Sequence, residues 1–414
     1  MVERDKITGI LRDTADNINN ETENPDETLK AEAAPESVGE TTDKLTFSGK
    51  LRIRGFFSFY FLFSFFIFVF SLTVYILSRL SPGFAELWTR YPSSWIRLVL
   101  AKLTTPFSFS LAECLLLSVP VLAIIYLIVS WRGMNRASSQ ADFYKWLLPL
   151  LCAVMLVVSC FFVTFGPSFF RYPLEENLGL VKEDVSAQEL YDTAVKISIE
   201  MQEELDEVVF RYGGSSKMPY SYRELADKMN EAFKDYASKA DYISSFYAYP
   251  KPIALSEPFT YTHISGVYSF ITGESNININ YPDFIIPFTM AHEMSHQRGI
   301  AREDEANFVA YLVCLESDDV YIRYSGYSNM INYIMSALYK ADKDLYFDFY
   351  HNHYPIRVRS EFSAFSLFFD KYRDSYASTV TGTINNSFLS SQGQSEGIRS
   401  YGLVVDLAVA YYKD

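Results

Sequence analysis

Pro287-Phe-Thr-Met-Ala-His-Glu-Met-Ser-His-Gln-Arg-Gly299 is the stretch on which the reading of this chain turns. Its centre, His292-Glu293-Met294-Ser295-His296, sets two histidines four residues apart. On an α-helix such positions share one face, so both imidazoles can reach a single Zn²⁺ at about 2.0–2.1 Å. Glu293 is turned by about 100° from His292, which puts its carboxylate beside the ion rather than on it. From there it can take a proton from a water that the ion has acidified. For a chain of this composition, chance supplies about 0.007 His-acid-x-x-His patterns. The competing reading is a helix with two unrelated surface histidines. His263, His351 and His353 stand outside the motif and read first as hydrogen-bonding or surface residues.

Two histidines leave a catalytic zinc short of its usual three protein ligands. Downstream runs Arg302-Glu-Asp-Glu-Ala-Asn-Phe-Val-Ala310. Gly299 can adopt the positive φ that ends a helix and turns the chain back. The next helix then begins near Arg302, with its acids at the positive end of the dipole. Glu303 and Asn307 share a face of that helix. Glu303 is the expected third ligand, and Asn307 a group able to hydrogen-bond a ligand histidine. Glu305 points elsewhere and is the fallback ligand, and ordinary helix capping is the competing use of the acids.

Outward from this segment the composition changes sharply. Only 21 % of the 414 residues are charged, against about 25 % in an average globular chain. The net charge of −14 excludes a generalised nucleic-acid binder, which needs a basic footprint. Residues 1–50 are expected to be a disordered acidic tail, too poor in apolar side chains to offset the entropy of ordering. Residues 51–170 contain three apolar runs, about 55–78, 107–131 and 146–170, each long enough for a transmembrane helix. Pro120 and Pro149 would kink two of them, which membrane helices tolerate. Glu113, near the start of the second run, is expected to reach towards an interface. Arg52 and Arg54, just before the first run, favour a cytoplasmic amino terminus. Three crossings then put everything beyond Phe170 on the extracellular side.

Residues 171–414 read as one mostly α (α+β) module. Leu190, Ala194, Ile197, Met201, Leu205, Val208 and Val209 recur at helical spacing within Ala187 to Tyr212, and Tyr220 to Ala237 is a second amphipathic helix. Alternation between Phe259 and Asn280 suggests a small β-hairpin or edge strand. Helices resume near Phe288, with Gly393 and Gly397 marking the last loop.

The three membrane runs resemble those of a bacterial membrane family, domain of unknown function 3810. So do Phe170-Arg-Tyr-Pro-Leu-Glu, Gly266-Val-Tyr-Ser-Phe, the run from His292 to Phe308, and Gly397-Ile-Arg-Ser-Tyr-Gly. The resemblance covers nearly everything after the acidic tail. It implies a multi-pass protein of the bacterial cytoplasmic membrane carrying a zinc-metallopeptidase-like domain, with no settled substrate. The motif is also similar to that of gluzincin peptidases, whose Glu-x-x-Ala-Asp/Asn pattern maps onto Glu303, Ala306 and Asn307. The six residues between His296 and Glu303 are fewer than gluzincins carry. The Gly299 turn is similar to that of metzincins, whose third-ligand position falls here on Arg302, which cannot bind zinc.

This resemblance implies a zincin-like fold with an extended peptide or protein substrate paired along an edge strand, Val267 to Asn280 being the candidate. Glu293 acts as general base, and His263, His351, His353 and Tyr401 are possible oxyanion donors. The expected function is a membrane-anchored zinc-dependent peptidase. The alternative is a catalytically inactive zinc-containing sensor or binding module.

Overall fold

In the computed structural model the described residues are 59–135, 140–181, 183–392 and 401–413, with side chains at 140–145 and 401 excepted. The acidic tail, the start of the first apolar run and the loop with Gly393 and Gly397 lie outside the described residues. The first run forms α1 (Phe59–Leu80). It connects through α2 (Pro82–Trp88), a wider helical turn around Pro92, and α3 (Ser94–Thr104) to α4 (Leu111–Met134) and α5 (Gln140–Thr164). Phe59–Leu80, Leu111–Met134 and Trp146–Thr164 are each long and apolar enough to cross a membrane. The second helix starts at Leu111 rather than Phe107 because the Ser110 hydroxyl caps it, accepting from the Glu113 amide at 2.8 Å. The third stops at Thr164 rather than Phe170. Gly166-Pro167 opens a short 3-10 turn there, since proline cannot donate to the preceding helical turn.

Ser64, Ser71 and Ser78 recur every seven residues on the buried side of α1, where it meets α5. Small side chains let two helices close on each other without a hydrophobic driving force. The Ser78 hydroxyl turns back to the Val74 carbonyl at 2.9 Å, and the Tyr75 ring stacks on Phe162 with centroids 4.4 Å apart. α4 is joined to the rest by exchanged carboxylates at its head. Glu274 accepts from the Leu111 and Ala112 amides at 3.2 and 2.8 Å. Glu113 accepts from the Ala254 and Leu255 amides, both at 2.8 Å. These bonds satisfy first-turn amides that a helix leaves unpaired. They also fix Glu113 at the boundary of the apolar run.

The remaining elements are α6 (Leu174–Leu178), α7 (Ala187–Leu205), α8 (Tyr222–Lys239), β1 (Lys251–Pro252), α9 (Ser256–Thr260), β2 (Gly266–Ser269) and β3 (Glu274–Ile277). Then follow α10 (Ile285–Gln297), α11 (Glu303–Glu316), α12 (Val320–Ala341), α13 (Lys343–Asn352), α14 (Ile356–Phe369), α15 (Tyr376–Ser391) and α16 (Tyr401–Lys413). Ser186 with Glu189, and Ser221 with Glu224, form reciprocal capping boxes at the heads of α7 and α8. α7 ends seven residues short of Tyr212. The chain reverses at Gly214, φ +86°, so that Phe210 bridges Ser216 and Val209 faces outward.

α10 and α11 form the middle of the module. α10 buries Phe288, Met290, Ala291 and Met294, and α11 buries every residue from Ala306 to Cys314. They pack against each other, with α8, α12 and the sheet around them. The sheet has the order β1-β3-β2, β1 parallel and β2 antiparallel to β3. The expected edge strand therefore narrows to Gly266–Ser269, because β1 occupies the far side of β3 and makes it the central strand.

Candidate metal centre

α10 ends in a Schellman turn: Gly299 takes φ +94°, its amide donates to His296 O at 3.0 Å, and the Ile300 amide reaches Ser295 O at 3.1 Å. The turn leaves three carbonyls pointing outward, and each is met by a side chain. Arg97 Nη2 donates to Arg298 O at 3.4 Å, Arg171 Nη1 to Gly299 O at 3.0 Å, and His296 Nδ1 to Ile300 O at 2.7 Å. The last bond puts the Nδ1 proton of His296 on a carbonyl and leaves Nε2 as the free lone pair of the neutral ring.

That Nε2 faces His292 Nε2 at 3.0 Å. Glu303, the first residue of α11, brings a carboxylate oxygen to 3.3 Å from His292 Nε2 and 3.7 Å from His296 Nε2. A tetrahedral ion with bonds of 2.0–2.1 Å separates its ligands by about 3.3 Å. The three donor atoms are spaced close to the edges of such a tetrahedron, so these residues could hold the ion, and all three line one cleft. Burial works against charge on His296, but Glu303 and then Glu293 outweigh it and raise the imidazole to about 9. Burial likewise opposes the Glu303 charge, yet the two imidazoles hold its carboxyl below the usual range. The cluster therefore favours one added positive charge, which a proton or a divalent cation can supply. His292 Nδ1 is buried without a hydrogen-bond partner among the described residues.

Glu293, 5 % exposed, lies beside this triad. Burial pushes its carboxyl up, against the pull of His292 and His296. The amide of Tyr268 in β2 bonds it on the ionised side, and Oε2 has no partner among the described residues. β2 passes flush against it, since a Cβ at Gly266 would stand 2.6 Å from Glu293 Cγ. The four side chains open on a cleft of about 670 Å³ lined also by Phe165, Tyr333 and Phe388.

The other expected site residues divide. His263 lines the cleft at φ +61°, with its ring on Phe369 and Nε2 at 2.7 Å from Tyr372 O. Asn307 also lines it, but Oδ1 accepts from the Tyr333 hydroxyl at 3.3 Å instead of meeting a histidine, because the next helix, α12, comes within its reach. His351 and His353 are not brought to the cleft. They stack on Phe347 and Phe349 at the end of α13, a helix packed on α7 and α12. The Tyr401 side chain lies outside the described residues. Glu305 turns away from the histidines, as its helical position requires. It accepts from the Leu174 amide at 2.9 Å, and burial raises its carboxyl to about 7.

Sequence reasoning missed Tyr333, indistinguishable among 31 tyrosines. It also missed the clasp on the Gly299 turn. Arg171 Nε and Nη2 grip the Glu86 carboxylate of α2 at 2.9 and 2.7 Å, and Nη2 also reaches Tyr242 O at 2.8 Å. Arg97 of α3 is fully buried, donating further to Thr89 O and Thr164 O at 3.0 Å each. One signal pointed here: Arg171 sits in the Phe170-Arg-Tyr-Pro stretch.

A family model described as a protein of unknown function (DUF3810) matches residues 88–409 of the chain. No curated protein and no solved structure matches it.

Proposed function

The chain belongs to the DUF3810 family of proteins of unknown function, and on that footing we propose that it is a membrane-anchored, zinc-dependent peptidase with a zincin-like, gluzincin-type site. His292, His296 and Glu303 would hold the zinc. The observation that carries the reading is their three donor atoms at 3.0, 3.3 and 3.7 Å, with the Glu293 carboxyl alongside. Zinc, when bound, supplies Lewis acidity towards a water and the scissile carbonyl. Glu293 holds the proton of that water on its carboxylate and passes it to the leaving amine. Burial supports this role by lifting the Glu293 carboxyl towards the working pH. β2, an edge strand, offers backbone groups along which an extended peptide can align beside Glu293. Of the expected oxyanion donors among the described residues His263 lines the cleft, and Tyr333 could serve there by turning its hydroxyl from Asn307 Oδ1 to the oxyanion.

We place the module outside the cytoplasmic membrane and the amino terminus inside. α1 and α5 run towards the module and α4 away from it, an odd number of passages. The bilayer and a polypeptide substrate are then the partners.

The test uses the full chain in detergent or nanodiscs. The wild type should carry one zinc per chain by elemental analysis, and His292→Ala and Glu303→Ala should not. Glu293→Gln should keep the zinc and lose about 10²–10⁴-fold in peptide cleavage. Zinc retained with identical behaviour of wild type and Glu293→Gln in every assay would support the sensor instead.

A further inference from the structure

The distance between the cleft and the apolar helices bears on what the cleft can take. Trp146–Thr164 is the apolar span of α5, and the residue after it, Phe165, sets its ring edge-on to His296 with centroids 5.8 Å apart. One turn back, inside the span, Phe161 touches Phe270 of the β2–β3 turn at 5.4 Å and Phe388 of α15 at 5.9 Å. Tyr75 of α1 donates to Gln392, just past α15, at 2.9 Å. The headgroup layer beyond a hydrocarbon core is about 5–8 Å deep on each side. With the hydrocarbon core ending at Thr164, the metal ligands would sit at headgroup depth.

The cleft's chemistry agrees with that position. Among its described lining residues there is no lysine or arginine, and the only acids are Glu293 and Glu303. α15 has no charged residue at all. It exposes Tyr376, Val380 and Ile384 at four-residue spacing and ends with Phe388 on the span. Ile384 and Phe388 are also part of the cleft wall. A wall free of charge, with Phe388 and Ile384 beside Thr381 and Asn385, thus runs from the end of a membrane helix towards Glu293.

We propose that the substrate is a polypeptide anchored in the same bilayer and cut where its chain leaves the hydrocarbon core, with apolar residues beside the scissile bond. This deepens the peptidase reading and rests on it. An extended chain advances about 3.3–3.6 Å per residue, so a depth of about 5–8 Å puts the cut roughly one to three residues beyond the anchor. The amide C–N bond breaks, water's hydroxyl joins the carbonyl carbon, and its proton goes to the new amine. Anchoring both chains in one bilayer raises the effective concentration to the mM range.

The test co-reconstitutes the zinc-loaded full chain in phosphatidylcholine/phosphatidylglycerol vesicles with a peptide carrying a synthetic transmembrane helix. The control is the same juxtamembrane sequence, without the helix, added in solution. The anchored form should be cut at least about 10²-fold faster, with products mapped by mass spectrometry to roughly the first three residues past the helix. Equal rates for both forms, or cuts spread evenly along the sequence, would overturn the proposal. A binding readout separates this from failure of the peptidase reading. A photo-crosslinking amino acid replaces Ile384 in the Glu293→Gln background. It should capture the anchored peptide and spare the free one. Selective capture with no cleavage by the wild type overturns the peptidase reading, and the cut with it, while leaving an anchored polypeptide as what the cleft binds. Absence of selective capture sinks the inference even where cleavage is seen.

Discussion

Two buried polar clusters flank the Gly299 turn, and they are built on opposite terms. On the membrane side, Arg97 and Arg171 bring guanidinium groups to backbone carbonyls and to Glu86, so positive donors meet acceptors. On the cleft side, His292, His296, Glu303 and Glu293 converge with lone pairs and negative charge in excess, and two of their polar atoms lack partners among the described residues. The first cluster also leaves Arg97 Nε and Thr89 Oγ1 without partners among the described residues, but its charges meet acceptors, so it is structural: breaking it exposes buried charge. A cluster that leaves acceptors facing each other is prepared for something absent, usually a cation. The contrast assigns fold to the first and chemistry to the second, and it can be broken by experiment.

The largest effect should come from the clasp. Arg171→Ala leaves the Glu86 carboxylate, whose side chain is 11 % exposed, with Arg90 as its remaining cation. It also strips Gly299 O and Tyr242 O of their donor, and should cost about 3 kcal/mol of stability, the low end for a broken buried pair. Chemical unfolding of the full chain in detergent measures it. Zinc occupancy should fall with it, since the Gly299 turn loses its tie to α2. Glu303→Ala in the metal-stripped protein should cost under a third as much, because Glu303 is 32 % exposed and water can replace it. Equal losses from the two substitutions would erase the distinction between the clusters.

What was legible in the sequence follows the same division. His292, Glu293, His296 and Glu303 could be read because helical geometry and one glycine turn relate residues within a dozen positions of each other. The boxes at the heads of α7 and α8 are equally local, each a serine and a glutamate three apart, but sequence reasoning missed them, and the second helix begins at Tyr222 rather than Tyr220. The clasp could not be read. Arg171 meets Glu86 across 85 residues and Gly299 across 128, and in sequence it is one more loop charge beside a membrane run. The apolar runs announced helices but not their ends, which depend on a serine hydroxyl at Ser110 and on Gly166-Pro167. The placing of His351 and His353 away from the cleft depends on which face of α13 packs on α7, and no local pattern carries that.

A smaller perturbation touches the turn itself. Gly299→Ala forces a side chain into φ +94° and puts a Cβ 2.6 Å from Arg97 Nη2 and 2.9 Å from Thr89 Cγ2. The backbone strain should cost about 1–3 kcal/mol, read as a lower unfolding midpoint. Because His296 and Glu303 stand on either side of this turn, zinc affinity should drop in parallel. A variant that unfolds earlier yet binds zinc unchanged would show that the turn does not position the ligands.

The smallest effect concerns a third buried cation. Lys251 donates to Thr104 O at 2.9 Å and Phe107 O at 2.5 Å, tying β1 to the α3–α4 loop as the arginines tie the turn to α2 and α3. Burial lowers its ammonium to about 8, against the opposing pull of Glu274. Its folded value lies below its unfolded one, so between about pH 8 and 10.5 the unfolded chain holds a proton that the native chain has released. Stability must therefore gain a rising component across that window as pH increases. Tyrosines ionising in the unfolded chain pull the other way above pH 10, so the wild type alone does not isolate the effect. The difference between wild type and Lys251→Met does: it should shift in favour of the wild type from pH 8 to 10 and be level below pH 7. A difference flat throughout would mean that water reaches the ammonium and that, unlike Arg97, this cation is not sealed into the junction.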